Sequence, residues 1–370
     1  MARQRTTARP AVTPATPGTV SSAAPPAIGA ATINDIARLA GVSKKTVSRV
    51  INNSPFVRED TRSRITATMQ EYGYTPDPQA RGLAFRKSFL IGLVYDNPNA
   101  QYIVNIQDGA LDALRGSGFE LVVHPCDRRS SDYLPGVRRF VRQQKLGGVI
   151  LLPPVSEDAA LSVLLDELDC RHAQIASVLI DPAALMVVSN DREASAEVAN
   201  YLESLGHRRI ALICGPASYR SARERREGFL GALSRRGIAL KPECIVEGGY
   251  TFESGVACAE RLLALDERPT AIFACNDEMA AGVYKAAYRQ DLQVPGQLSV
   301  VGFDDAPIAS RIWPALSTVR LPIRDMGRLA ATRLLAALGI HGQEQGPQPA
   351  PATLITPHLV VRDSAQPPAA

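Results

Sequence analysis

Residues 32–52 read TINDIARLAGVSKKTVSRVIN, and the way this stretch can bury its apolar residues decides the fold of the N-terminal part. Thr32 and Asp35 have the T-x-x-D spacing of a capping box, in which a hydroxyl and a carboxylate satisfy amides that a helix start leaves unpaired. Ile33, Ile36, Ala37 and Ala40 recur at three- and four-residue spacing and form one apolar face. Gly41 then supplies the left-handed conformation that ends a helix. Ser43 is placed to cap a second helix from Lys44 to Ile51, with Val47, Val50 and Ile51 facing inward and Lys44, Lys45, Ser48 and Arg49 on the opposite arc. Two short helices across so tight a turn, the second polar and cationic, match the geometry that lays a recognition helix in the DNA major groove. The blander alternative is a helical hairpin with a solvated charged face.

Working outward, Asn52-Asn53-Ser54-Pro55 is turn chemistry, and Val57 to Tyr72 predicts a third helix with Ile65, Met69 and Tyr72 on one side. Residues 1–30 hold eight Ala, five Pro, five Thr and three Arg with no acidic residue and no apolar period, so a disordered tail is expected. The net charge of +4 conceals an asymmetry: residues 1–88 carry 13 Lys/Arg against 5 Asp/Glu, the rest 28 against 32. Basic charge is therefore concentrated beside the two-helix motif, where phosphate neutralisation would supply non-specific DNA affinity.

From Phe89 onward the pattern changes to α/β. Near-continuous apolar runs at Phe89–Tyr95, Leu121–His124, Gly148–Leu152, Ile210–Cys214, Ala271–Cys275 and Ser299–Phe303 read as strands buried on both faces of a parallel sheet. Amphipathic helices lie between them, among them Tyr102–Gly116, Ser195–Gly206, Ala222–Gly237, Ser254–Leu265 and Met279–Gln290. The units suggest two doubly wound lobes, whose ligands sit beyond the carboxyl ends of the strands. With 370 residues, 45% of them hydrophobic, a soluble chain of two or three domains is expected. No apolar run approaches the roughly 20 residues a membrane helix needs, and no secretory apolar core opens the chain. Six scattered cysteines fit no zinc spacing and read as reduced core residues. No G-x-S-x-G elbow or phosphate loop occurs, the histidines do not cluster, and His207 reads as a cap or turn residue. Neither an enzyme, a cofactor nor a metal is expected.

The stretch 32–52 closely resembles the start of the LacI/GalR family of bacterial transcription regulators, T-I-x-D-[IV]-A-x-x-A-G-V-S-x-x-T-V-S-R-V-[IL]-N, at every fixed position. The resemblance continues through V-R-E-D-T-R-S-R-I to Gly73-Tyr74-Thr75-Pro76 and departs at Asp77, where Asn is usual and where the change adds a negative charge near phosphates. It implies a helix-turn-helix domain over 31–76 and a hinge over 77–88, in which Leu83 of A-R-x-L inserts into the minor groove of a kinked operator. Gly82 weakens that hinge helix by roughly 1 kcal/mol relative to Ala, as suits a switch. By the same resemblance Lys44, Lys45 and Arg49 face base edges, Thr46 and Ser48 touch phosphates, and Thr32, Ser43, Asn52 and Arg81 complete the DNA-facing set.

The resemblance extends to about residue 363 and implies a core like that of the periplasmic sugar-binding proteins, with two lobes enclosing an effector. The chain is then expected to cross between lobes near Ser189, Leu321 and Pro351. That gives an N-lobe of 89–189 plus 322–350, a C-lobe of 190–321 plus 351–363 with a last strand around Leu354–Val361, and a tail of 364–370. Arg225, in R-x-x-G-F, stands where the family's guanidinium holds effector hydroxyls or a carboxylate. Asn276 and Asp304, each following a buried strand, are implied effector contacts, with Asp191, Tyr250 and Tyr102 as further candidates. Structural roles compete: Asp277 as a helix cap, Asp304 paired with an Arg, Tyr250 in the core. Such a cluster suits a sugar, with purines left open. The reading is a cytoplasmic homodimeric repressor on a palindromic DNA operator, released by a sugar; co-repression and activation stay open. A free-standing sugar-binding protein is the competing class, but it has no use for a basic helix-turn-helix and needs export, for which no signal is present. No leucine heptad follows Val361 to build a tetramer.

Overall fold

The computed structural model describes residues 31–51, 56–74, 88–181, 185–339 and 352–369. Asn52, Arg81, Leu83, the tail before residue 31 and nearly all of the 77–88 hinge lie outside these residues. The chain divides into two units, 1–81 and 82–370.

The first unit contains α1 (Ile33–Leu39), α2 (Lys44–Ile51) and α3 (Glu59–Glu71). The capping box forms: the Asp35 carboxylate accepts the Thr32 amide at 3.0 Å, and the Thr32 hydroxyl accepts the Asp35 amide at 3.3 Å. Gly41 has φ +65° and turns the chain, and Ser43 Oγ accepts the Thr46 amide at 3.1 Å to start α2. Ile36, Ala37, Ala40, Val47, Val50 and Ile65 are buried against one another, with Ile33, Ile51, Met69 and Tyr72 only partly covered at the edge. Six buried apolar side chains are a small core, which makes each of them costly to lose.

In the second unit the strands are β1 (Leu90–Tyr95), β2 (Glu120–Pro125), β3 (Gly148–Leu151), β4 (Arg171–Ala176), β5 (Leu185–Ser189) and β6 (Ile210–Cys214). They continue with β7 (Ile245–Glu247), β8 (Ala271–Ala274), β9 (Ser299–Asp304), β10 (Ser317–Arg320), β11 (Thr353–Ile355) and β12 (His358–Val360). The first lobe has a six-stranded parallel sheet in the order β11-β5-β4-β3-β1-β2. The second has β12-β10-β9-β8-β6-β7, parallel except for the antiparallel β12. Central strands such as β3, β6, β8 and β9 are buried throughout, as expected where helices cover both faces.

The helices are α4 (Ala100–Leu114), α5 (Tyr133–Gln144), α6 (Ala159–Glu167), α7 (Asp191–Ser204), α8 (Arg220–Arg235), α9 (Phe252–Leu263), α10 (Asp277–Arg289), α11 (Pro307–Arg311) and α12 (Ile323–Ala337). Four of them start about two to four residues before their apolar periodicity does, because side chains at Asn99, Asn190, Thr251 and Asn276 cap them. The cap of α10 is thus Asn276 rather than Asp277. Helices α4 and α12 approach closely: a Cβ on Gly109 would lie 1.8 Å from the Arg324 carbonyl oxygen, so only glycine fits.

The path between lobes differs from expectation at its last step. The first crossing follows β5 and the second falls at Leu321–Pro322, but the segment expected as one strand over 354–361 is two. β11 completes the first sheet and β12 the second, so the third crossing lies at 356–357 rather than near Pro351. Pro357 lacks the N–H a continuous ladder needs. Residues 364–369 are also not a free tail. Ser364 is fully buried, its Oγ accepting the Ser317 amide at 2.7 Å and donating to the Val300 carbonyl at 2.6 Å. His207 is likewise no simple turn residue: its ring bridges Thr270 Oγ1 at 2.8 Å and the Gln366 carbonyl at 3.0 Å, and burial holds its pKa below the usual value. Among the described residues no helix is long and apolar enough to cross a membrane, no group of metal-ligating side chains occurs, and all six cysteines are free, Cys126 and Cys244 only partly buried.

Candidate functional site

The polar face of α2 is open to solvent. Lys44, Lys45 and Arg49 are exposed, Ser48 and Thr46 are half-covered, and Val47 and Val50 anchor the helix from behind. Ser43 and Thr46 share a hydroxyl hydrogen bond of 2.9 Å at its start, and exposed Thr32 is engaged in the α1 capping box. Two valines thus hold the helix from behind, and three exposed cations stand on the opposite face, clear of the core.

In the second unit, Tyr102, Asp191, Arg225, Tyr250, Asn276 and Asp304 all line a single cleft between the lobes, which encloses about 510 Å3 of space counted to its open mouth. The cleft lies beyond the carboxyl ends of the strands of both sheets, where open α/β sheets bind ligands. Four of the side chains arrive from element ends, Tyr102 from the first turn of α4, Asp191 from the start of α7, Asn276 from the β8–α10 junction and Asp304 from the end of β9, while Arg225 comes from the second turn of α8 and Tyr250 from the loop between β7 and α9.

Arg225 is the centre. Only about 6% exposed, it donates from Nε to Asp191 Oδ2 at 2.7 Å and from Nη1 to the Cys275 carbonyl at 2.6 Å. Its Nη1 also stands 3.6 Å from Asp304 Oδ1, and the guanidinium lies 3.6 Å over the Phe303 ring. Asp191 is fixed in turn by the Ser189 hydroxyl, which donates to Oδ1 at 2.6 Å. A buried guanidinium tied to a buried carboxylate is pre-organised, because neither partner can leave without exposing an uncompensated charge.

Asp304 is different. Its carboxylate accepts no hydrogen bond among the described residues, and its backbone takes φ +114°, a conformation rare for a side chain other than glycine. Burial pushes its pKa up to about 7 against the pull of Arg225, with Asp191 and Glu278 adding to the rise. Asp305, also at positive φ, turns away: Arg320 Nε and Arg362 Nη2 hold it at 2.6 Å each. Asp277 faces the fold as well, accepting from the Ala306 amide at 2.7 Å and Thr318 Oγ1 at 2.6 Å, so it ties α10 to the β9–β10 edge. Asn276 does two things at once: Oδ1 caps α10 through the Met279 amide at 2.9 Å and Nδ2 donates to the Tyr250 carbonyl at 3.0 Å.

Tyr250 sits at φ +62°, its ring edge-on to Tyr219 with centroids 5.5 Å apart. Its buried hydroxyl lies near Ser221 but forms no hydrogen bond among the described residues, and the same holds for the Ser177 hydroxyl on the facing lobe. Tyr102 is half-buried opposite, and burial together with the Asp304 and Asp191 charges pushes its pKa up, so it stays a neutral donor. Buried hydroxyls without partners in a cleft are what a ligand would satisfy. Gly215 makes room for this arrangement: a Cβ there would fall 2.0 Å from Tyr250 Cζ. Gly215→Ala is expected to drive the ring out of place and weaken ligand binding by about tenfold or more, read by calorimetry. Unchanged affinity would remove Tyr250 from the site.

Several lining groups escaped the sequence, Tyr219, Ser189, Ser177, Ser221 and Asn97, and so did Phe303 beneath Arg225. Tyr219 donates its hydroxyl to the Asp96 carbonyl at 3.0 Å, and Glu157 accepts the first α8 amide, that of Arg220, at 3.2 Å. Both contacts run from one lobe to the other across the mouth of the cleft. Glu157 also meets the positive end of α8, which has no side-chain cap of its own.

Comparison with known proteins gives a consistent picture. Residues 32–77 match the family of bacterial regulatory proteins, lacI family, and residues 199–365 match the periplasmic binding protein-like domain. Over 312 residues the chain is 35% identical to the probable HTH-type transcriptional repressor ExuR of Bacillus subtilis, covering 83% of this chain and 91% of that protein. It is 32% identical over 310 residues to the ribose operon repressor of Haemophilus influenzae, covering 82% and 91% respectively. Among solved structures, the lac repressor dimer bound to operator and the anti-inducer ONPF superimposes with a TM-score of 0.73 at 28% identity, over 91% of this chain and 99% of that one.

Proposed function

Because the chain belongs to the lacI family of bacterial regulatory proteins, we propose that it is a homodimeric repressor on a palindromic operator whose DNA affinity is set by a sugar in the Arg225 cleft. One observation carries the effector half of this reading: six residues from six separate segments of the chain, named from the sequence, line one cleft around a pre-organised guanidinium. The DNA half rests on the cationic face of α2 and the excess of basic charge before residue 89.

In this reading Lys44, Lys45 and Arg49 enter the major groove, and Thr46 and Ser48, with Thr32 and Ser43 at the helix starts, meet phosphates. Asn52 and Arg81 add further DNA contacts, and Leu83 wedges open the operator centre. The protein works in the cytoplasm, on the chromosome. Paired half-sites follow from two-fold symmetry. A ligand spanning the cleft favours the arrangement in which Tyr219 reaches Asp96 and Glu157 caps α8, and the resulting shift of the N-lobe reaches the 77–88 hinges. Its power is bounded by its differential affinity for the two arrangements.

Arg49→Ala is expected to weaken operator binding by about 1–3 kcal/mol and to relax the preference at one base pair of each half-site. Gel-shift titrations against the operator and single-base variants measure this; a uniform loss at every variant would mark Arg49 as a phosphate contact instead.

A further inference from the structure

Two thiols meet beneath the Arg225 cleft. Strands β6 and β8 run parallel with Ile213 beside Ala274, and the Cys275 amide donates to the Ile213 carbonyl at 2.9 Å. The next pair in register is therefore Cys214 and Cys275, both free. In-register neighbours on parallel strands point to one face and lie about 4.7–4.9 Å apart, inside the span of about 4.4–6.8 Å that a disulfide bridges between Cα atoms. The shared face is the one covered by α8, since Phe229 of α8 packs on Phe273, two residues before Cys275, with ring centroids 4.8 Å apart. We propose that Cys214 and Cys275 form a reversible disulfide when hydrogen peroxide reaches Cys214 from the α8 side, and that the bond disturbs the seat of Arg225.

Access and reactivity separate the two thiols. A pocket lined by Cys214, Arg223, Arg226 and Glu247 opens onto the first sulfur, whereas Cys275 is fully buried. The Cys275 thiol, set against the Cys214 sulfur, lowers the Cys214 pKa, and Arg226 adds to this against burial. Burial and the Cys214 sulfur hold the Cys275 pKa well above the usual value, so it stays a thiol. The thiolate is the nucleophile towards peroxide. Cys214 Sγ attacks one peroxide oxygen, the O–O bond breaks, hydroxide leaves, and Cys214 becomes a sulfenic acid. Cys275 Sγ then attacks that sulfur, the S–O bond breaks, and the Cys275 proton leaves with the hydroxyl as water. The two thiols together lose two electrons and two protons, and the peroxide is reduced to two waters. A small dithiol reverses the bond by exchange. Cys258, the third thiol nearby, is committed elsewhere: it donates from α9 to the Glu247 carbonyl at 3.4 Å, and burial raises its pKa.

The Cys275 carbonyl accepts from Arg225 Nη1 at 2.6 Å, and the next residue, Asn276, caps α10 through the Met279 amide at 2.9 Å. A bond drawn from Cys275 to Cys214 thus acts on the backbone that holds both the guanidinium and the start of α10. The test treats the full chain with hydrogen peroxide, blocks the remaining thiols and maps disulfides by peptide mass spectrometry, with hydrogen–deuterium exchange read on the same samples. Cys214 is expected to join Cys275, dithiothreitol to reverse the bond, and the Met279 amide to exchange at least about tenfold faster in the oxidised protein. Before oxidation, iodoacetamide should modify Cys214 about tenfold or more faster than Cys258. Cys214→Ser should show no crosslink and no change in exchange on peroxide treatment. A Cys214 that peroxide leaves reduced or carries to sulfinic acid, a crosslink through Cys258, Cys126 or Cys244 in its place, or Met279 exchange unchanged by a mapped Cys214–Cys275 bond would overturn the proposal. None of these readouts uses a ligand or DNA, so their failure is distinct from failure of the sugar and operator reading.

Discussion

Arg225→Ala is expected to abolish the effector response while the protein still binds its operator. The substitution removes the guanidinium that holds Asp191 at 2.7 Å and leaves two buried carboxylates, Asp191 and Asp304, without counter-charge. Breaking a buried pair in this way costs about 3–5 kcal/mol, and ligand affinity falls with it because the fixed donor array is gone. The helix-turn-helix unit has its own core and loses nothing. Calorimetry with the effector and gel shift with the operator separate the two effects. Arg225→Lys retains a charge but not the fork, so it should bind ligand weakly and restore part of the thermal stability. An unchanged ligand response in Arg225→Ala would place the effector elsewhere.

Ile65→Ala is expected to produce the opposite result. Ile65 is fully buried from α3 against Ile36 and Val47, in a core of six buried apolar residues. Truncating such an isoleucine costs about 2–5 kcal/mol, and a single core in a domain of this size rarely supplies more than about 3–5 kcal/mol. The DNA-binding unit should therefore unfold on its own: operator binding is lost, effector affinity is retained, and a low-temperature unfolding transition separates from that of the lobes. Operator binding within a factor of about two of the parent would show that the unit draws its stability from somewhere other than this core. Together the two substitutions dissociate ligand recognition from DNA recognition in opposite directions.

Much of this was legible in the sequence because the signals are local. The Thr32–Asp35 capping box, the Gly41 turn and the apolar faces of α1 and α2 are decided within a few residues, and the central strands announce themselves as buried runs. The helix starts in the lobes were misplaced because periodicity marks where a repeating face begins, whereas Asn99, Asn190, Thr251 and Asn276 cap the helices upstream of it. Nothing local distinguishes Asp304 from Asp305; the difference is made by Arg320 and Arg362, which hold the second carboxylate from β10 and from the segment after β12. The packed C-terminal residues were equally hidden, since Ser364 is buried by contacts with Val300 and Ser317 from distant strands. Tyr219 and Glu157 matter only because the lobes face each other, a relation that no spacing records.

The most direct test is a gel-shift titration of the full chain against its palindromic operator at moderate salt, with and without the sugar that calorimetry finds in the Arg225 cleft. The account predicts specific binding of a dimer that the sugar weakens, with Arg225→Ala binding the same operator and ignoring the sugar. Operator affinity that stays the same when the cleft is saturated would contradict it.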